Sequence, residues 1–242
     1  MPSENSKIDF SVVIPAYNES KRISPTILKT SSYLEKANLS HEIIVVDDGS
    51  SDNTVQVVEE ISKTVPGLKI IKLARNSGKG AAVKEGMLAA VGDLVLFEDA
   101  DGATPIAELD KLRDAMKSAD VAIGSRALPS EDTKVVTRIH RKLLGRIFNL
   151  TANMFAVPGI LDTQCGFKLF TKPAAQAVFA KQKLLGFGFD VEILYIANKL
   201  GFRIKEVAVN WNNVPGTKVN VILDGLKMFL DIVSIKLLHR SL

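Results

Sequence analysis

Cysteine is all but missing: Cys165 stands alone among 242 residues, which rules out an internal disulfide framework and fits a reducing compartment. A lone cysteine of this kind is most often a small buried hydrophobe. Histidine is nearly as scarce. His41, His140 and His239 supply neither a nucleophile–base arrangement nor the paired spacing that zinc requires. A strong excess of one charge is lacking too, because 31 basic against 27 acidic side chains leave only +4. Without an arginine-rich groove interleaved with aromatics, that balance gives no reason to expect a nucleic acid partner. The first nine residues are mostly polar or charged and Phe10–Ile14 is too short for a signal-peptide core, so no secretory leader is read there. The last apolar stretch carries Asp224, Lys227, Asp231 and Lys236. At roughly 2.5 kcal/mol or more for each charge at a bilayer centre, it makes a poor membrane span. No internal repeat or low-complexity linker divides the chain, which reads as a single domain over residues 1–242.

The first 125 residues alternate short apolar runs with helical patterns. Strands are expected at Phe10–Ile14, Glu42–Val46, Leu68–Leu73, Asp93–Glu98 and Val121–Gly124, with helices near 22–37, 52–64, 79–91 and 105–118. Runs that are nearly all apolar mean burial on both faces, as in a parallel sheet covered by helices. The fold class is therefore α/β, with a mostly parallel, doubly wound sheet. Further on, the pattern gives a helix over Arg138–Val157, another from about Asp190 to Leu200, a strand near Arg203–Trp211, a turn at Pro215-Gly216 and an amphipathic helix over Val219–Leu238. That last helix is expected to pack on the domain or to lie in a membrane interface.

Chemistry concentrates where the apolar runs end. Leu94–Glu98 leads into Asp99-Ala-Asp101, two carboxylates that strand alternation is expected to turn to one side at the strand's end, offering the hard oxygen donors that suit Mg²⁺ or Mn²⁺ together with substrate phosphates. An isolated Asp-x-Asp is more often a solvated turn. Here Val46-Asp-Asp-Gly-Ser50 and Pro15-Ala-Tyr-Asn-Glu19 give two more polar strand ends, and doubly wound sheets bind ligands at the carboxyl ends of their strands. Together they point to a nucleotide site. Arg75-Asn-Ser-Gly-Lys-Gly80 is not a P-loop, since the upstream glycine and the Ser or Thr after the lysine are missing. It is not the dinucleotide fingerprint either, and reads as a glycine-rich turn whose N–H groups and Lys79 can meet an anion or a base edge. Between Lys134 and Arg146 five cations, Lys134, Arg138, Arg141, Lys142 and Arg146, stand without an acid, a density that attracts phosphates or an anionic membrane surface.

In this order, Val12–Glu19, Ile44–Thr54, Arg75–Gly80 and Asp99–Gly102 resemble the family 2 glycosyltransferases, which have the nucleotide-diphospho-sugar transferase (GT-A type) fold. Gly124-Ser-Arg126, Asp162–Phe170, Phe189–Ile193 and Val209-Asn-Trp211 make the chain similar to the polyprenyl-phosphate branch, from about residue 10 to 238. The resemblance implies a nucleotide-sugar-binding half over 10–125, an acceptor-binding half over 126–218 and a C-terminal amphipathic helix over 219–242. It implies that Pro15, Tyr17, Glu19, Asp47 and Asp48 hold the nucleotide, with Asn76 and Lys79 nearby. Asp101, with Asp99, would hold the metal; Asp99 would also contact the ribose or sugar. Arg126 and Arg141 would meet an acceptor phosphate, Asp162 and Gln164 the transferring sugar, and Lys218 the diphosphate. Mannosyl and related enzymes tend to carry an arginine shortly before that lysine, where Asn212 and Asn213 stand, which favours the glucosyl-like members. The glucosyl enzymes of eukaryotes also carry an N-terminal membrane segment, which is not read in this sequence; attachment is then expected through the later helices. The implied activity is inverting transfer of a hexose, first of all glucose from UDP-glucose, to polyprenyl or dolichyl phosphate at the cytoplasmic face of a membrane. GDP-mannose, UDP-N-acetylglucosamine or a UDP-uronic acid is the alternative donor. A non-catalytic nucleotide-binding module at the membrane is the alternative of another class.

Overall fold

Val12, Val13 and Ile14 are wholly buried because their strand runs through the middle of a sheet covered on both faces. The computed structural model of the chain describes residues 8–128, 130, 133–136, 157–212, 214 and 223–242. All but the last residue of the expected helix over Arg138–Val157, the Pro215-Gly216 turn and most of the 134–146 cation cluster lie outside them.

Four strands, β1 (Phe10–Ala16), β2 (His41–Asp47), β3 (Leu68–Lys72) and β4 (Leu94–Glu98), are parallel, joined by α1 (Ile23–Lys36), α2 (Thr54–Ser62) and α3 (Lys79–Ala89). After α4 (Leu109–Ala115) come β5 (Val121–Ser125), the short β6 (Val135–Val136), β7 (Phe167–Thr171) and α5 (Lys172–Lys181). The chain finishes with α6 (Phe189–Lys199), β8 (Ile204–Ala208), β9 (Trp211–Asn212) and α7 (Leu223–Leu238). The main sheet has the order β3-β2-β1-β4-β7-β5-β8, and β6 pairs with β9 in a two-stranded ribbon.

Strand alternation builds a core on each face of the sheet. Val13, Ile44, Val46, Val95 and Phe97 point to α3, α5 and α6. Val12, Ile14, Ile43, Val45 and Leu96 point to α1, α2 and α4. The chain steps outward from β1 to β2 and β3, then returns through α3 to place β4 on the other side of β1. That reversal makes the carboxyl ends of β1 and β4 the switch point, where open α/β sheets bind ligands.

The five expected parallel strands are present, but β7 and α5 were not anticipated. β7 enters antiparallel between β4 and β5, with Phe97 opposite Lys168. α5 begins at a marked start: Thr171 caps it by accepting from the N–H of Ala174, and Pro173 lies in its first turn. The strand expected over Arg203–Trp211 divides in two. Val209 N–H still reaches Ser125 O at 3.1 Å, whereas the Asn210 side chain binds Lys134 N–H and Glu108 and hands the chain to the second ribbon.

Candidate active site

The ends of β1 and β2 are stitched together by small polar groups. Asn18 takes a left-handed conformation, φ +53°, that asparagine tolerates, and its Oδ1 accepts from the N–H groups of Ser51 at 2.8 Å and Asp52 at 3.2 Å. In return Ser50 Oγ accepts from Asn18 N–H and Thr54 Oγ1 from Glu19 N–H. The Glu19 carboxylate is held by both arms of the Arg22 fork, at 2.7 Å each, so Glu19 stiffens this loop. Pro15 lies within buried β1, and Tyr17 follows at its end, half-buried.

Asp47 and Asp48 are adjacent, buried and differently employed. Asp48 accepts from Ser77 N–H at 2.7 Å and Gly78 N–H at 2.9 Å, so it braces the glycine-rich turn. Burial pushes its carboxyl above the ordinary range; those two bonds pull it down and the Asp47 charge adds to the rise. Asp47 Oδ2 accepts from Ser50 N–H, while its Oδ1 is buried with no partner among the described residues. A buried acceptor left unmet is costly and fits a donor supplied by a ligand. Gly49 is obligatory here: at φ +69° a Cβ would come within 2.6 Å of the Arg75 backbone. Asn76 is exposed on that same turn.

Asp99 and Asp101 lie just past the last residue of β4, so strand alternation is not what unites them. A turn does, closed by Gly102 N–H to Asp99 O and made possible by Gly102 at φ +61°. Asp99 Oδ1 pairs with Lys79 Nζ at 2.7 Å, and that ammonium lies 5.2 Å from the Phe97 ring centroid. Burial works against the Lys79 charge, but Asp99 and Asp190 outweigh it and keep the group a cation. Asp101 accepts from Ala103 N–H at 3.1 Å; burial, then the Asp99 charge, raises its carboxyl. Behind them Glu98 is buried against Thr30 and pushed up to about 8, by burial first and then by the Asp99 and Asp101 charges.

The second half contributes two ion pairs that sequence patterns did not reveal as pairs. Arg126 and Asp162 bind each other through a fork, Nε to Oδ2 at 2.7 Å and Nη2 to Oδ1 at 2.8 Å, with the Arg126 N–H adding a third bond at 2.9 Å. The guanidinium lies 5.5 Å from the Trp211 ring centroid, and Gln164 donates its N–H to Asp162. Lys168 and Asp190 form a fully buried pair, Lys168 Nζ also donating to Cys165 O at 2.7 Å. The turn so fixed presents Gly166, whose carbonyl accepts from Asp99 N–H at 3.0 Å. Arg141 and Lys218, the other two expected cations, lie outside the described residues.

Among the described residues no group of three or more His, Cys, Asp or Glu is placed to hold an ion. At the end of β4, Asp99 and Asp101 offer hard oxygens, with Glu98 close behind them. A donor set this small fits Mg²⁺ or Mn²⁺ completed by substrate phosphates, and fits no all-protein metal cage.

This sheet order, with paired acids at the switch point beside a braced glycine-rich turn, is that of the GT-A nucleotide-sugar transferases. Residues 11–179 match glycosyl transferase family 2, and the chain belongs to that family. It is 40% identical to a dolichyl-phosphate beta-glucosyltransferase of Trichomonas vaginalis, over 98% of this chain and 73% of that one. The corresponding enzymes of Saccharomyces cerevisiae and Homo sapiens are 38% and 37% identical, covering 98% and 96% of this chain and 76% of each of theirs. The fold is shared with glucosyl-3-phosphoglycerate synthase from Mycobacterium tuberculosis in complex with uridine diphosphate, at a TM-score of 0.72 and 18% identity, covering 94% of this chain and 80% of that one. A crystal structure of the same synthase with Mn²⁺ and UDP-glucose gives 0.67 and 20%, covering 95% and 78%.

Proposed function

We propose that this glycosyltransferase moves glucose from UDP-glucose to a polyprenyl or dolichyl phosphate, with inversion, at the cytoplasmic face of a membrane. The observation that carries the reading is Asp99 and Asp101 at the β1/β4 switch point with Lys79 bound between the glycine-rich turn and Asp99. The names of the relatives support the sugar and the acceptor. In this reading the unmet Asp47 Oδ1 accepts an N–H from the base, while Asp48 holds the turn that carries Asn76 and Lys79. Asp101 and Asp99 hold Mg²⁺ or Mn²⁺ with the diphosphate; when bound, the cation supplies Lewis-acid stabilisation of the departing charge.

One acceptor phosphate oxygen bonds to the anomeric carbon from the face opposite the diphosphate, the carbon–oxygen bond to the diphosphate breaks, and UDP leaves with that electron pair. No general base is required, because a phosphate monoester with a second pKa of roughly 6 is largely dianionic at neutral pH. The difficulty is bringing a dianion to a diphosphate. Lys79 stays protonated for that purpose, and Arg126, held in register by Asp162, meets the acceptor phosphate with the guanidinium edge that Asp162 does not occupy. Arg141 is assigned to the same acceptor phosphate and Lys218 to the diphosphate, and Asp162 with Gln164 borders the sugar. Incubation with labelled UDP-glucose, GDP-mannose, UDP-N-acetylglucosamine or UDP-glucuronic acid, a polyprenyl phosphate, and Mn²⁺ or chelator tests this. Label from UDP-glucose alone enters the organic phase and chelator stops it; incorporation from another donor, or none from any, refutes the assignment.

A further inference from the structure

Helix α7 is anchored along one side and apolar along the other. Ile232 and Ile235 are buried in the core beside α6, and His239 Nε2, just past the helix, meets the buried Glu192 carboxylate at 2.6 Å. Asp231 faces this inner side, where a Cβ added to Gly188 would come within 2.5 Å of its Oδ2. The outer side presents Phe229, Leu230, Val233 and Leu237, all exposed, with Leu230 reaching 59%. At 3.6 residues per turn these four fall within an arc of about 100°. Lys236 borders one edge and Lys227 the other, and both are exposed. From Lys227 to Leu242 the sole acid is the inward-facing Asp231.

We propose that this outer face of α7 docks the protein on an anionic lipid surface. A helix of 16 residues is about 24 Å long, too short to cross a hydrocarbon core of roughly 30 Å, and no described helix is long and apolar enough to do so. An apolar stripe with a lysine along each edge is what lies flat at an anionic headgroup boundary. A second copy of the chain is a poorer occupant, since a two-fold contact brings the same cations together. The stripe also begins beside the site. Lys227 Nζ lies about one contact distance from the Gly186 position, and Leu185, exposed on that loop, accepts the N–H of Ala81 in the first turn of α3. Docking here therefore brings headgroups next to the element that carries Lys79.

The proposal names the membrane contact of the enzyme proposed above and takes its purpose from that reading, but vesicle binding is measured without turnover. The full chain is floated with phosphatidylcholine vesicles, with or without phosphatidylserine. It is expected to rise with the anionic vesicles and to be released by high salt. Leu230→Glu and Leu237→Glu each lower the partition at least about tenfold, and Lys227→Gln/Lys236→Gln lowers it by more, at roughly fivefold per lost cation. Leu230 and Leu237 are exposed, so in Leu230→Glu and Leu237→Glu melting temperature, UDP-glucose binding and transfer to a short, detergent-dispersed isoprenyl phosphate stay at the wild-type level. Wild-type protein that remains with the soluble fraction, or variants that float as well as wild type, overturn the proposal. Self-association abolished by Leu230→Glu also overturns it, giving the face to a second copy. Protein that floats but glucosylates no lipid phosphate sustains the docking surface and retires the proposed activity.

Discussion

Replacing Arg126 by Met keeps most of the side chain's bulk while stripping a buried carboxylate of its counter-charge. Asp162 is 1% exposed and accepts hydrogen bonds from the backbone N–H groups of Arg126 and Gln164 and from Nε and Nη2 of Arg126. The substitution removes the two charge-assisted bonds and leaves the two backbone ones. Breaking a buried pair from one side costs roughly 3–5 kcal/mol, and because water reaches the guanidinium the lower end applies, about 3 kcal/mol. In a chain of this length that lowers Tm by roughly 6–12 °C. The pH dependence has a definite sign. Burial alone would raise the Asp162 carboxyl, but the Arg126 charge and hydrogen bonds outweigh it and hold it below the ordinary range. The stabilisation is therefore complete above about pH 4 and is lost only as pH falls through the depressed value. In Arg126→Met burial, the largest influence, is opposed only by the backbone bonds and the Lys168 charge, so the carboxyl is expected to move up from its wild-type position and take up a proton on mild acidification. The deficit against wild type should be largest at pH 7 and shrink toward pH 5, and adding Asp162→Asn should restore much of the loss at pH 7. Urea unfolding of wild type, Arg126→Met, Asp162→Asn and the double variant across that range measures it. A deficit below about 0.5 kcal/mol, or one that does not change with pH, refutes the reasoning.

Three further outcomes follow from the same geometry. Asp101→Asn should abolish the Mn²⁺ dependence of UDP-glucose binding and lower transfer by roughly 10²–10³-fold, read by calorimetry and product formation; wild-type turnover would remove Asp101 from the metal site. In Gly166→Ala the new Cβ would lie 1.9 Å from Asp99 Oδ2, so Asp99 must swing away from Lys79. The donor KM should rise about tenfold or more with the far-UV spectrum unchanged, and an unaltered KM would show that this contact does not position Asp99. Burial, with the Asp162 charge adding, pushes the Cys165 thiol up to about 12. Iodoacetamide at pH 8 should leave the folded protein unlabelled and modify it fully in urea; rapid labelling of the native chain would contradict the buried placement.

The part of the fold legible in the sequence is the part that local pattern determines. Val12–Ile14, Ile43–Val46 and Val95–Phe97 are buried on both faces and therefore read as parallel strands, and the acids that follow them mark the sheet's carboxyl edge. β7 did not read as a strand because Lys168, at its second position, looks like a loop residue. Its ammonium is tolerated only because Asp190, twenty-two positions on, is buried against it. The Arg126–Asp162 fork spans thirty-six positions in the same way. Long-range charge pairing leaves no periodic trace, whereas the start of α5 at Thr171-Lys-Pro173 is a local signal that the chain itself carries. In the site, types were legible and employments were not: Asp47 and Asp48 look alike in sequence, and only the backbone N–H groups of Ser77 and Gly78 separate a brace from an unmet acceptor.

The most direct test of the central claim is a crystal of this protein soaked with Mn²⁺ and UDP-glucose and measured at the manganese absorption edge. One anomalous peak is predicted, at the roughly 2 Å ligand distance from an Asp101 oxygen and shared with the diphosphate of the bound nucleotide. Nucleotide bound at the β1/β4 crevice with no manganese against Asp101 or Asp99 would contradict it.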